Sequence, residues 1–207
     1  MELQKPFTVI TSGVDGDVLR VLASSHGQFS VPRLHAMIAE HSVSGIRNSV
    51  QRLAEQGVVR TYAIGRDRAY ALNDEHLAAP ALRELAGLKA ALFARLTARI
   101  GSWPIPPAFG AVFGSAARGD MTADSDIDIA LVRPADAGDD EWVTQLADLT
   151  QEVTAWTGND TRILDLTDED LGDESLRPLL AAIVAEGIVV TDDSEWLRRA
   201  LSANGLK

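Results

Sequence analysis

The chain has 207 residues, is 46% hydrophobic and carries a formal net charge of −11; this length suits one large domain or two small ones, with enough apolar content for a core. It contains no cysteine, which excludes disulfides and thiolate metal sites and fits a reducing cytosol. No apolar run approaches the roughly 20 residues of a membrane span and the first five residues do not read as a signal peptide, so a cytoplasmic location without a membrane segment is expected.

The charge is divided unevenly. Residues 1–73 hold eight Lys/Arg and six Asp/Glu, a net +2, whereas residues 74–207 hold eleven and twenty-four, a net −13. Phosphate backbones repel an acidic surface, so DNA contact is expected from the N-terminal part and divalent cations in the C-terminal part. The histidines His26, His35, His41 and His76 lack metal-ligand spacing and read as structural or surface residues.

The first helix is predicted from Asp15-Gly16-Asp17 through Val18, Leu19, Val21 and Leu22, ending at His26-Gly27-Gln28. Ser30 is a candidate N-cap for a second helix, with Pro32 in its first turn and Leu34, Met37 and Ile38 on its inner face. A third helix is predicted from Val43 to Gln56, apolar at Val43, Ile46, Val50 and Leu53, with Gly57 as its stop. Val58 to Ile64 and Ala69 to Leu72, joined by Gly65-Arg66-Asp67-Arg68, read as a β-hairpin.

Three short helices followed by a hairpin with a basic tip resemble a winged helix-turn-helix. The resemblance implies DNA contact through the outward positions of the third helix, Ser44, Arg47, Asn48, Gln51 and Arg52, and through Arg66 and Arg68 on the wing. Such side chains are also ordinary on a solvated helix, and winged helices also serve as protein-contact modules.

A long helical pattern runs from Glu75 to about Ile100, through Leu82, Leu85, Leu88, Ala91, Leu92 and Leu96, until Pro104, Pro106 and Pro107 forbid a regular helix. Beyond that break, Phe109 to Phe113 reads as a buried strand and Gly114-Ser115 as a small-residue turn into a short helix. Such a turn lets backbone N–H groups approach a triphosphate, and the Ser115 hydroxyl adds a donor. In the following strand, side chains alternate, so Asp126 and Asp128 share one face while Ile127, Ile129 and Leu131 face a core. Two adjacent carboxylates repel each other unless a cation lies between them, and Mg²⁺ with nucleotide oxygens suits them.

Gly114-Ser115, ten intervening residues and Asp126-x-Asp128, with Arg118-Gly119 and Ser125, resemble the signature of minimal nucleotidyltransferases of the DNA-polymerase-β-like superfamily. The resemblance covers roughly residues 108–190 and implies a mixed sheet with the two motif strands side by side. It also implies nucleoside monophosphate transfer from an NTP with Mg²⁺, and nucleotide contacts by Gly114, Ser115, Arg118 and Ser125. The family adds a third strand with one more acid that helps hold metal and acts as base. After a helix over about 140–156, residues 161–166 are expected to be that strand, and Leu164-Asp165-Leu166 matches the family's pattern, which makes Asp165 the expected third carboxylate beside Asp126 and Asp128. An earlier register puts Arg162 at that position, and Asp160 is a further candidate. Without an acid there, nucleotide binding alone remains. A helix over 174–186, a short strand over 187–191 and a helix over 193–201 complete the chain.

The expected architecture is thus an α/β protein of two domains. A winged helix-turn-helix covers residues 1–73, a linker helix and Pro-rich segment residues 74–107, and a nucleotidyltransferase domain residues 108–207. A second expectation is a DNA-binding regulator whose nucleotidyltransferase fold senses nucleotide or contacts a protein. Small members of the family resemble the antitoxins of toxin–antitoxin pairs, which implies a cognate toxin as partner.

Overall fold

The structure, a computed structural model, describes residues 1–203. It divides into two compact units: residues 2–89, and residues from Ala90 onward together with Met1.

After a short 3-10 turn (Pro6–Val9), the first unit contains α1 (Val14–Ala23), a two-residue strand β1 (Phe29–Ser30), α2 (Val31–Met37) and α3 (Val43–Glu55). The starts of α2 and α3 have a local cause. The Ser30 hydroxyl accepts the Arg33 N–H, and the Ser42 hydroxyl accepts the Gly45 N–H, satisfying amides that have no partner within the helix. After α3, Gly57 takes φ +76°, the left-handed conformation that ends a helix cheaply only for glycine. The hairpin follows as β2 (Val59–Ile64) and β3 (Asp67–Leu72), with Gly65 at φ +62° in its tight turn. β3 lies between β2 and β1, antiparallel to both. The core contains Val18, Leu22, Leu34, Ile38, Ile46 and Val50, all fully buried.

Three expectations for this region are corrected. Met37 is 52% and Val43 39% exposed, so neither belongs to an inner face. Both stand at a helix end, α2's last residue and α3's first, while Ile38, expected on the same inner face, is fully buried. The predicted continuous helix over 75–100 is two helices, α4 (Ala79–Ala86) and α5 (Leu88–Gly101), because Gly87 caps the first with its N–H on Arg83 and Glu84 carbonyls. The helix α4 is part of the first unit: Ala79 is buried in its core, Leu82 and Ala86 pack against it, and the Arg83 guanidinium donates to the Ala23 carbonyl at 2.8 Å.

The second unit is built on a mixed four-stranded sheet of β4 (Phe109–Phe113), β5 (Ile127–Val132), β6 (Thr161–Leu166) and β7 (Ile188–Val189). Its order is β6-β5-β4-β7, with β5 and β6 parallel and the other pairs antiparallel. A short helix α6 (Gly114–Arg118) follows β4. The long α7 (Asp139–Thr157) connects the parallel pair, and α8 (Arg177–Glu186) and α9 (Trp196–Ala203) lie toward the C-terminus.

Alternation sorts the strand residues. Ala111, Ala130, Val132 and Leu166 join a core with Leu180, Ile183 and Leu197 of α8 and α9. Ile127, Ile129 and Leu131 point the other way, where Trp142, Leu149 and Val153 of α7 are fully buried. The helix α5 is tied to α7 by the Arg99–Glu152 ion pair at 2.7 Å and by Arg95 stacked 4.0 Å above the Trp156 ring.

Candidate active site

β4 and β5 pair so that Phe113 lies opposite Asp128. The chain then turns at Gly114 with φ +68°, directly over that carboxylate: a Cβ there would stand 2.8 Å from Asp128 Oδ2. Real Cβ atoms essentially never come so close, so any other residue would meet the left-handed dihedral and also push the Asp128 carboxylate aside. The motif's two ends, eleven residues apart from Ser115 to Asp126, thereby become one pocket wall.

Asp128 is half-buried, and its carboxyl is held above the usual carboxylate range, first by burial and then by the charge of Asp126, with Arg162 and Arg118 opposing. Two neighbouring carboxylates attract a cation. They match one Mg²⁺, whose remaining ligands would be phosphate oxygens and water.

The expected third carboxylate is not on this face. β6 runs parallel to β5 with Arg162 beside Asp128 and Asp165 beside Leu131. Asp165 therefore shares its side of the sheet with the buried isoleucines, and its Oδ1 accepts the indole N–H of Trp142 at 2.9 Å. Its assignment to catalysis and metal is corrected: it is a helix-to-sheet tie. In its place Arg162 donates to Asp126 Oδ2 at 2.9 Å. Asp160 has the parity of the acidic face. Among the described residues, however, no third carboxylate comes with Asp126 and Asp128 into a group of ligand atoms mutually within 4.8 Å.

The other expected nucleotide contacts differ in their engagement. Ser115 is half-buried at the start of α6. Arg118 is exposed and paired with Asp120 at 3.2 Å and Glu186 at 3.6 Å. The Ser125 hydroxyl accepts the Thr122 N–H at 2.9 Å and so closes the turn before Asp126. Sequence reasoning missed Asn159, which is buried and donates to the Ala123 and Ser125 carbonyls at 3.0 and 2.9 Å. That side chain fastens the start of β6 to the Asp126 turn. An Asn one residue after a helix-ending glycine was the available signal.

In the first unit, Arg47 and Gln51 of α3 and Arg66 and Arg68 of the hairpin line one groove of about 380 Å³ with Ser30 and Pro32. Ser44 and Asn48 are exposed on α3. Ser44 shares a hydrogen bond with Ser42 at 3.1 Å, and Arg52 is ion-paired with Asp15. The set expected to reach a ligand thus includes two residues already bound to neighbours. The unit also holds a group absent from the sequence reading: Asp17, Glu40 and His41. His41 Nε2 lies 2.7 Å from Asp17, and Lys5 bonds Glu40 at 2.7 Å. These partners are far apart in sequence, so spacing could not reveal them; Lys5 on Glu40 and Arg20 on Asp17 already pair with the carboxylates.

No helix among the described residues is long and apolar enough to cross a membrane. No curated protein matches the chain. Two solved structures are similar over about half of it. One is a toxin–antitoxin with AMP-PNP, 21% identical over 56% of this chain and 82% of that one, with a TM-score of 0.38. The other is a mutant of the MntA–HpeT toxin–antitoxin, 17% identical over 54% and 82%, with a TM-score of 0.40. Residues 106–195, within the second unit, match the family model "Polymerase beta, Nucleotidyltransferase".

Proposed function

We propose that the second unit binds a nucleoside triphosphate between the Gly114-Ser115 turn and the Asp126/Asp128 pair and transfers its nucleoside monophosphate to an acceptor hydroxyl. The observation that carries this reading is Gly114 folded over Asp128, which joins a glycine turn to a carboxylate in a space that an added side chain would take from that carboxylate. The family match over residues 106–195 supports it.

The Gly114 and Ser115 amides and the Ser115 hydroxyl hold the β- and γ-phosphates. Asp126 and Asp128 would hold Mg²⁺, which when bound would supply positive charge to the α-phosphate and offset the charge developing in the transition state. The acceptor oxygen bonds to the α-phosphorus as the bond to the β-phosphate's bridging oxygen breaks. Pyrophosphate leaves, and the hydroxyl proton passes to solvent. Arg118 and Ser125 shape the pocket's edge.

We infer that the first unit is a winged helix-turn-helix that contacts DNA. Supporting this are the helix order, the antiparallel hairpin, and the groove lined by Arg47, Gln51, Arg66 and Arg68. The single observation favouring a second reading is Arg162 in the place of an acid. In that reading nucleotide is bound but not transferred, and the protein is a DNA-binding regulator that signals nucleotide to DNA or to a partner protein such as a cognate toxin.

The deciding experiment incubates the protein with α-labelled NTPs, Mg²⁺ and cell lysate. Label should appear on an acceptor with wild type and fall by an order of magnitude or more with the Asp126→Asn/Asp128→Asn pair, the scale expected when metal ligands are lost. Nucleotide binding without label transfer selects the regulator. Mg²⁺-dependent nucleotide binding that survives in the double variant sinks the site itself.

A further inference from the structure

Arg162 is the feature of this site that the two-carboxylate scheme leaves unused. We propose that it is a built-in cation: its guanidinium takes the place beside Asp126 that a second divalent ion would fill, and it turns to the phosphates when nucleotide binds. This rests on the reading of Asp126 and Asp128 as the nucleotide site.

Register puts Arg162 next to Asp128, on the same face of the parallel pair, and its terminal nitrogen lies 2.9 Å from Asp126 Oδ2. Asp165, the acid that would have raised the negative charge, faces α7. The charge at the site's centre is therefore that of two carboxylates and one guanidinium, a net of one negative charge, which a single divalent ion more than neutralises. The Arg162 side chain is 72% exposed, so the pair is weakly held and the guanidinium is free to exchange one anionic partner for another. Its planar fork of donors matches phosphate oxygens in a way that a metal's water shell does not. Arg118, the other basic group near Asp128, is already engaged by Asp120 and Glu186 and cannot serve in the same way without leaving both.

The test uses the full chain with Mn²⁺ and ATP as probes, read by isothermal titration and by Mn²⁺ paramagnetic resonance. Without nucleotide, Arg162→Gln should bind Mn²⁺ about tenfold more tightly than wild type, the scale of losing a group that competes for a metal ligand. Arg162→Asp should bind more tightly still and take up a second ion with ATP. In excess chelator, wild type should retain weak ATP binding that Arg162→Gln loses. Equal Mn²⁺ affinity in wild type and Arg162→Gln overturns the occupancy at Asp126. Equal metal-free ATP binding, or a loss that Arg162→Lys fully restores, overturns the forked phosphate contact. If wild type binds no ATP with or without Mn²⁺, the nucleotide reading has failed and the phosphate contact with it, while the Mn²⁺ comparison still decides whether Arg162 occupies the metal's place.

Discussion

Replacing Gly114 with alanine separates geometry from stability at this site. The left-handed backbone at φ +68° costs an alanine roughly 1–2 kcal/mol. The new methyl would stand 2.8 Å from Asp128 Oδ2 but 3.7 and 3.8 Å from that residue's Cγ and Cβ. Only the carboxylate's tip is in the way. Rotation of Asp128 relieves the clash at little further cost and moves the metal ligand out of place. Gly119 supplies the control, since it has φ +82° and nothing within 4 Å of an added Cβ. Both variants should lose about 1–2 kcal/mol in urea denaturation, but only Gly114→Ala should lose Mg²⁺-dependent ATP binding, by tenfold or more on the scale of a displaced metal-site group. Isothermal titration with ATP and Mg²⁺ reads the difference. Gly114→Ala with ATP affinity equal to Gly119→Ala would refute the argument that the glycine's function is its approach to Asp128.

Other outcomes follow from the same geometry. Asp165→Ala should destabilise the fold by about 1–3 kcal/mol by stripping the acceptor from the buried Trp142 indole, while Asp165→Asn keeps an acceptor and costs less; neither should alter metal-dependent ATP binding, and a selective loss there would restore Asp165 to the site. Mn²⁺ binding requires Asp128 to be ionised, and its proton affinity is raised, so binding should strengthen with pH through a midpoint above the ordinary 3.8, while Asp128's own contribution to stability is largest below 3.8 and is lost as pH rises through the raised value; a pH titration of Mn²⁺ affinity with its midpoint at 3.8 contradicts this. A fragment of residues 1–89, which keeps α4 on its core, should bind DNA more tightly than the full chain, whose remainder is acidic. Within it, Arg66→Ala or Arg68→Ala should lower the log–log salt slope by about 1 if that side chain contacts phosphate. A folded fragment with no DNA affinity at low salt favours a protein-contact role.

The glycine turn and the acid pair of the candidate site were legible because their determinants are local. Gly114-Ser115 and Asp126-x-Asp128 lie at the ends of adjacent antiparallel strands, and strand alternation alone puts both acids on one side. The helix starts at Ser30 and Ser42 and the stop at Gly57 were equally local. Met37 and Val43 fit the helical period yet are exposed, because periodicity gives a direction around a helix and says nothing of whether the partner extends to its end. The helical pattern over residues 75–100 does not show the break at Gly87, before which Ala79, Leu82 and Ala86 pack on the first unit's core.

The sequence by itself determined that a glycine turn and two acids stand at strand ends, that Asp165 and Arg162 lie on opposite faces of one strand, and that the acidic residues concentrate in the C-terminal part. Which of those two faces meets Asp128 was a tertiary decision. It depends on the register of β6 against β5, set by contacts between residues distant in the chain: Asn159 donating to the Ala123 and Ser125 carbonyls, and Trp142 drawing Asp165 to the opposite side. A slip of one residue exchanges the faces of a whole strand, so a local hydrophobic-acid-hydrophobic pattern carries no information about the outcome.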